Sequence, residues 1–498
     1  MDHSITVALL IGTVVVLVAV LAVRASTRFG LPTLLLYLGL GMAVGESGLG
    51  INFDNADLTR TLGLLALVVI LAEGGLTTRW TDARPALPVG AVLATVGVGV
   101  SVAVTAGATV LILGVGWHDG VLLGAIVSST DAAAVFATLR RLPLKGRLAA
   151  TLEAESGFND APTVILVLLL TGSQSHSLGH TAGQIGYELL VGAVIGVGVG
   201  FLSAEILRRS ALPVAGLYPL ATVAFTVLAF AVATLAHSSG FLAVYLAGLV
   251  LGNAALPHRR ATLGFVEGLG WLAQIGLFGL LGLLVSPPDL PAAILPALAI
   301  GAVLLVIARP LSILASATWF RFGIRAQALL SWAGLRGAVP IVLATIPISA
   351  AEPNADRLFN VVFVLVIAFT LIQGTSLPWV AQRLRTVEAT ATRDVTVEAA
   401  PLEDLAADML HVDVTGGSRL HGVYVNELRL PRGAVVSLLV RDGVSFVPDA
   451  NTRISRGDAL LVIATAAARA EAERRLRSIS RSGRLAGWLA DPDTAGAS

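Results

Sequence analysis

Glu153-Ala154-Glu155-Ser156-Gly157-Phe158-Asn159-Asp160-Ala161-Pro162 lies inside residues 148–171, a segment otherwise rich in Leu, Ala and Val. A helix of that length spans the roughly 30 Å hydrocarbon core of a bilayer. Ionisable side chains placed there cost a few kcal/mol each, so their presence points to a functional site with a partner. At about 3.6 residues per turn, Ser156 and Asp160 share one helix face and Glu155 and Asn159 the adjacent one. Two carboxylates one turn apart cannot both stay ionised in such a place unless a cation is near.

The rest of the chain has the same character. Its 498 residues are 55% hydrophobic and 13% charged, with a mean hydropathy of +0.84, against roughly 25% charged in an average soluble protein. Thirty-three basic and thirty-two acidic residues leave a net charge of +1, so no field recruits nucleic acid or an acidic partner. The absence of cysteine removes disulfides, thiolate metal sites and cysteine nucleophiles. Apolar segments fall near 4–23, 31–47, 60–78, 86–114, 120–139, 148–171, 184–208, 215–236, 240–256, 265–285, 291–317, 326–349 and 357–383, which predicts about thirteen transmembrane helices. Asp2 and His3 precede the first run where a secretory signal carries Lys or Arg, so it is read as a retained span. Basic residues collect in alternate loops: Arg24 and Arg28; Arg79 and Arg84; Arg140, Arg141, Lys145 and Arg147; Arg208 and Arg209; Arg259 and Arg260; Arg321 and Arg325; Arg383 and Arg385. The other loops hold only Arg60 and Arg357. This asymmetry predicts an N-terminus outside and a C-terminus in the cytoplasm of a bacterial inner membrane.

Five ionisable residues stand deep in these segments: Glu73, Asp131, Glu155, Asp160 and Arg336. Ser128-Ser129-Thr130-Asp131 puts four polar side chains in succession within the fifth segment, and such residues compete for backbone hydrogen bonds. An unwound crossing that lines a cavity is expected there, a capped and buried kink being the alternative. Trp332-Ala333-Gly334-Leu335-Arg336-Gly337-Ala338-Val339-Pro340 reads as a second interruption. If Arg336 neutralises Glu155, Asp160 is left to exchange a proton for a cation. Oxygen donors on Asp160, Asn159, Ser156, Thr130 and Asp131 suit a hard monovalent cation rather than a transition metal, with Asp160, Thr130 and Ser156 as its expected ligands. The opposing reading is an Arg–Glu–Asp network that only ties helices together. Glu73 either lines the ion path or pairs with Arg79 or Arg84. Gly196-Val197-Gly198-Val199-Gly200 lacks the preceding strand of a dinucleotide loop and reads as helix packing.

Beyond Arg385 the composition changes. Residues 386–401 read as a linker, 402–480 as a small α+β domain and 481–498 as a disordered tail. Strands are expected at Leu410–Val414, Ala434–Arg441, Val444–Val447 and Ala459–Ala464, followed by a charged helix over Ala466–Ser478.

With Ser128-Ser129-Thr130-Asp131-Ala132, Glu155-Ser156-Gly157-Phe158-Asn159-Asp160, Gly240-Phe241-Leu242-Ala243-Val244-Tyr245-Leu246-Ala247-Gly248, the Trp332–Pro340 run and Gln373-Gly374-Thr375-Ser376-Leu377, the chain resembles bacterial monovalent cation:proton antiporters of the electroneutral NhaP-like branch. The resemblance implies inverted repeats with crossing half-helices and a homodimer in the lipid bilayer, with no obligate protein partner. It also implies alternating access, in which Asp160 binds cation and proton in turn and Asn159 marks one-for-one exchange, with a core salt bridge between Glu155 and Arg336. Many relatives carry Pro directly after the Asn-Asp pair, where this chain has Ala161 and then Pro162. The tail resembles the C-terminal half of potassium-conductance regulatory domains, which implies K⁺, with Na⁺ as the alternative. No cofactor is implied; the tail either takes a small regulator such as a cyclic dinucleotide or serves dimerisation alone. The rival readings are a ligand-gated cation channel, against which stands the absence of a Thr-Val-Gly-Tyr-Gly filter, and a receptor with a vestigial transporter core.

Overall fold

The computed structural model describes residues 12–23, 32–46, 48–50, 55–131, 147–172, 178–210, 212–387, 396–402, 407–415, 417–441, 443–465 and 467–483, with Leu10 and Leu144 as single positions. The chain divides into two compact units, residues 1–387 and 388–498. Arg24, Arg28, Arg140, Arg141 and Lys145, the far part of the fifth apolar segment, the middle of the expected linker and residues 484–498 of the expected tail lie outside the described residues.

The first unit is helical: α1 (Gly12–Val23), α2 (Thr33–Val44), α3 (Ala56–Thr77), α4 (Leu87–Leu113), α5 (Trp117–Ser128), α6 (Leu148–Leu170), α7 (Leu178–Arg209), α8 (Leu217–Leu235), α9 (Gly240–Asn253), α10 (Arg259–Leu284), α11 (Pro291–Phe320), α12 (Ile324–Trp332), α13 (Ala338–Ser349) and α14 (Ala355–Arg383). Among the described residues, seven of these are long and apolar enough to cross a membrane: α3, α4, α7, α8, α10, α11 and α14. Helices α7 and α8 leave Leu190, Val194, Phe201, Leu220 and Leu235 exposed, as helices facing hydrocarbon do. By contrast α6, α9 and α13 are enclosed along most of their length.

Small residues let the enclosed helices approach to backbone contact. A Cβ on Gly75 of α3 would strike the Tyr245 carbonyl of α9, and one on Gly252 would strike the Leu76 carbonyl. The amide of Asn253 pins the same crossing, donating to the Thr78 carbonyl at 2.8 Å and accepting from the Trp80 N–H at 2.7 Å. Helices α4 and α11 each contain a π turn, Leu93–Gly97 and Leu304–Ala308. They meet there through Ser312, whose hydroxyl donates to the Gly97 carbonyl at 2.8 Å.

Two helices stop where the sequence is polar or rich in glycine. Helix α5 ends at Ser128, and Ser129–Asp131 continue as non-helical chain. Residues 333–337 separate α12 from α13 in the same way. Pro340 lies in the first turn of α13, where its missing N–H would have no intrahelical partner in any case. Pro162, by contrast, lies within α6, and the helix runs through it from Leu148 to Leu170.

The second unit is a five-stranded sheet in the order β1-β2-β5-β3-β4, with all neighbours antiparallel. Its strands are β1 (Thr396–Leu402), β2 (Ala407–Asp413), β3 (Ala434–Arg441), β4 (Val444–Phe446) and β5 (Ala459–Thr465), followed by helix α15 (Arg469–Ser482). Residues 396–401, read from composition as linker, therefore belong to a strand. They form an edge, where Pro401 is tolerated because one side of the strand has no ladder to supply. Alternate residues of β2 and β5 point inward, with Leu410, Val412, Leu460 and Val462 packed against Leu476 and Ile479 of α15.

The α3–α9 contact generates a stability prediction. Gly252→Leu should lower the melting temperature of the detergent-solubilised protein by overpacking, equivalent to about 1–3 kcal/mol. Gly198→Leu, at a position with open space around the new Cβ, should leave it unchanged.

Candidate cation and proton site

The two non-helical segments, Ser129–Asp131 and 333–337, are held together by groups at the ends of α5 and α13. The Asp131 N–H donates to the Leu335 carbonyl at 3.0 Å, and the Ala338 N–H at the start of α13 donates to Asp131 Oδ2 at 2.8 Å. Asp131 thus acts on the N-terminus of α13 as a capping carboxylate. A Cβ on Gly337 would collide with that carboxylate. Arg336 is fully buried, and its Nη1 donates to the carbonyls of Ser128 and Ser129 at 2.7 and 2.5 Å. One cation thereby satisfies the C-terminal end of α5, where free carbonyls concentrate negative potential. Helix α14 braces the second break: Thr370 donates to the Arg336 carbonyl at 3.0 Å, Gln373 to the Trp332 carbonyl at 2.8 Å, and the Trp332 indole donates to the Ser376 hydroxyl at 3.0 Å.

The crossing presents Ser129 and Thr130 to α6. Ser129 donates to Asp160 Oδ1 at 2.6 Å. Thr130 Oγ1 accepts from Asn159 Nδ2 at 2.6 Å and shares a hydrogen bond with the Ser156 hydroxyl at 3.0 Å. Ser129, Thr130, Ser156, Asn159 and Asp160 are all buried. The Asn159 side-chain carbonyl is buried without a hydrogen-bond partner, and Thr163 ties back to the Asn159 and Asp160 carbonyls at 2.8 and 3.0 Å. The sequence-predicted residues Asp160, Asn159, Ser156 and Thr130 therefore come together, with Asp131 turned to the end of α13. Glu73 lies in α3 with its carboxylate packed over Gly270 of α10, where an added Cβ would collide with it. Arg79, one of its two expected partners, pairs with Asp82 at 2.9 Å.

The expected salt bridge between Glu155 and Arg336 is corrected by the structure. Arg309 of α11 holds Glu155, with Nη1 to Oε1 at 2.5 Å and Nη2 to Oε2 at 3.4 Å, and Nη2 also donates to the Leu330 carbonyl at 3.0 Å. Arg309 directly follows the π turn of α11. Its guanidinium fills the space above Gly334, where any Cβ would meet it. Arg336 instead directs its Nη1 at the α5 carbonyls, while its Nε and Nη2 are buried without a hydrogen-bond partner. Arg309 was legible as a charge within the apolar segment 291–317, followed by Pro310. Ser129 was legible only as one of a polar run.

The arrangement separates charges by task. Among the described residues, Glu155 has a guanidinium partner and Asp160 has a hydroxyl. A carboxylate enclosed in the apolar interior with hydroxyl and carbonyl oxygens around it can be neutralised by a proton or by a monovalent cation. Residues 13–383 match the transmembrane family described as sodium/hydrogen exchanger. The chain belongs to the sodium/hydrogen exchanger family. Residues 409–477 of this exchanger match the TrkA-C domain. The exchanger is 40% identical over 472 residues to the K⁺/H⁺ antiporter NhaP of Alkalimonas amylolytica, covering 93% of this chain and 82% of that one. It is 36% identical over 468 residues to the K⁺/H⁺ antiporter NhaP2 of Shewanella oneidensis, covering 91% and 80%. Its fold is that of the sodium proton antiporter MjNhaP1 of Methanocaldococcus jannaschii, with a TM-score of 0.68 at 21% identity, covering 76% of this chain and 99% of that one. The exchanger is thus a multi-pass membrane protein that exchanges a monovalent cation for protons, a transporter and not an enzyme.

The reassigned ion pair can be measured with double-mutant cycles on thermal stability. Arg309→Met alone should destabilise by about 3–5 kcal/mol, since it leaves Glu155 buried and uncompensated. Glu155→Gln should recover much of that loss in the Arg309→Met background and less in an Arg336→Met background.

Proposed function

We propose that the exchanger carries K⁺ against H⁺ one for one by alternating access, with Asp160 as the group that holds each in turn. The observation that carries this is the enclosed Asp160 carboxylate, which has Ser129 as its hydroxyl partner and the unpartnered Asn159 carbonyl on the preceding residue. Thr130 and Ser156 complete an oxygen-rich wall suited to a hard cation. Charge balance follows from the site. A protonated Asp160 and an Asp160 paired with a monovalent cation are both neutral, while Glu155 keeps Arg309 throughout. K⁺ rather than Na⁺ is favoured by the names of the two relatives and by the tail domain.

Thirteen crossings built as two inverted repeats account for a further regularity. A helix with a π turn, a helix that stops at a non-helical stretch and a long helix follow one another at α4, α5 and α6, and a helix with a π turn, α12 stopping at residues 333–337 and a long helix follow at α11, α12 and α14. The placement of arginines favours a C-terminal domain in the cytoplasm. A homodimer, with the tail as a regulatory or dimerising module, completes the reading.

In proteoliposomes loaded with acid and a pH-sensitive dye, K⁺ should dequench the dye and Asp160→Asn should abolish the response in protein that still folds. An imposed membrane potential should leave the wild-type rate unchanged. A potential-driven rate would refute one-for-one exchange, and a fully active Asp160→Asn would refute the assignment of the carboxylate.

A further inference from the structure

A cavity of about 420 Å³ opens beside the start of α6, lined by Arg79, Asp82, Arg147, Ala150 and Glu153 among others. Glu153 and Asp160 are seven residues apart on α6, two turns or about 10 Å of helix axis. Gly157 lies between them, one turn from Glu153 on the same stripe. That stripe is covered at Gly157 by the ring of Tyr245 from α9. A Cβ at Gly157 would fall 2.7 and 2.8 Å from Cε2 and Cζ of the ring, so the missing side chain is what seats it. Tyr245 is 1% exposed, and Phe158 packs edge-on against it with ring centroids 5.6 Å apart. The Cζ atom carries the hydroxyl, so the polar end of the ring is the end seated at Gly157, near Thr78 and Glu153. Thr78 directly precedes Arg79 of the cavity wall. The ring thus covers the α6 stripe at Gly157, one turn beyond Glu153 of the cavity wall and one turn short of Asp160.

We propose that Tyr245 is the barrier that closes the route from this cavity to Asp160, and that its ring leaves Gly157 when cation and water pass. The proposal rests on Asp160 being the exchange group, but the barrier can be tested without assuming it. It assigns to Gly157 a positioning role: a side chain there would remove the seat of the ring. Charged Glu153 and Asp82 sit on the cavity side of the barrier, and the buried polar cluster lies beyond it.

The chain has no native cysteine, so Ala161→Cys, one turn past Gly157, places a single thiol on the same stripe. The full-length protein, reconstituted in liposomes, is treated with a small cationic methanethiosulfonate, and the labelling rate is followed by mass spectrometry. The thiol should label slowly with Tyr245 present, and Tyr245→Ala should accelerate labelling by about tenfold or more as the open fraction rises. Tyr245→Phe, which keeps the ring and loses the hydroxyl, should stay within a few-fold of the slow rate expected for a steric barrier. Equal rates with and without the Tyr245 ring would overturn the proposal. If Tyr245→Ala does not yield a folded protein, Gly157→Ala displaces the ring from the other side, and an unchanged rate there overturns it equally. Failure of the Asp160 assignment would show instead as exchange surviving Asp160→Asn, a result that leaves the labelling rates untouched.

Discussion

The buried guanidinium of Arg336 is the constraint on which the rest of the site depends. Helix α5 stops within the protein interior, and the carbonyls of Ser128 and Ser129 would be costly there without a donor. Arg336 supplies it from the second unwound segment, while Asp131 supplies the reciprocal contact to the N–H that opens α13. Each break thus satisfies the orphan groups of the other. Neither segment could remain unwound alone, and only their crossing places Ser129 and Thr130 against α6.

Once that crossing exists, the allocation of charge follows. A buried ion pair is tolerable when its geometry is good and its remaining hydrogen bonds are met, and Glu155 with Arg309 and the Leu330 carbonyl comes close to that condition. Asp160 is treated differently, with a hydroxyl in place of a guanidinium. A permanent counter-charge would hold a buried carboxylate in its ionised form, and the neutral Ser129 hydroxyl does not. The same economy explains the glycines at Gly334 and Gly337, which admit Arg309 and Asp131 to the backbone of the break.

The tail illustrates how composition and pairing differ as sources of information. Four strands and the final helix were recognisable from β-branched runs between Gly-containing turns. The fifth strand, Thr396–Leu402, has Ala, Glu and Pro in its run and looks like a linker by composition. It becomes a strand because β2 offers it an open edge, and that opportunity lies in the partner and not in the segment.

The sequence by itself determined the membrane character, the segments that hold the helices, the two interruptions, and Asn159, Ser156 and Thr130 as polar residues near Asp160, though not Ser129, whose hydroxyl reaches its carboxylate. All of these are local properties: apolar run length, helical periodicity, and the cost of placing Ser, Thr, Asp, Gly or Arg where the bilayer permits few alternatives. Only the tertiary structure decided which arginine takes which partner. Arg309 and Arg336 are both deep, permanently charged basic residues, and proximity along the chain favours neither for Glu155. The choice was made by the π turn that precedes Arg309, by the space above Gly334, and by the unpaired carbonyls of α5 that claim Arg336. The seat of Tyr245 on Gly157 is of the same kind, since a missing Cβ on one helix and a ring on another become a barrier only when the two helices meet.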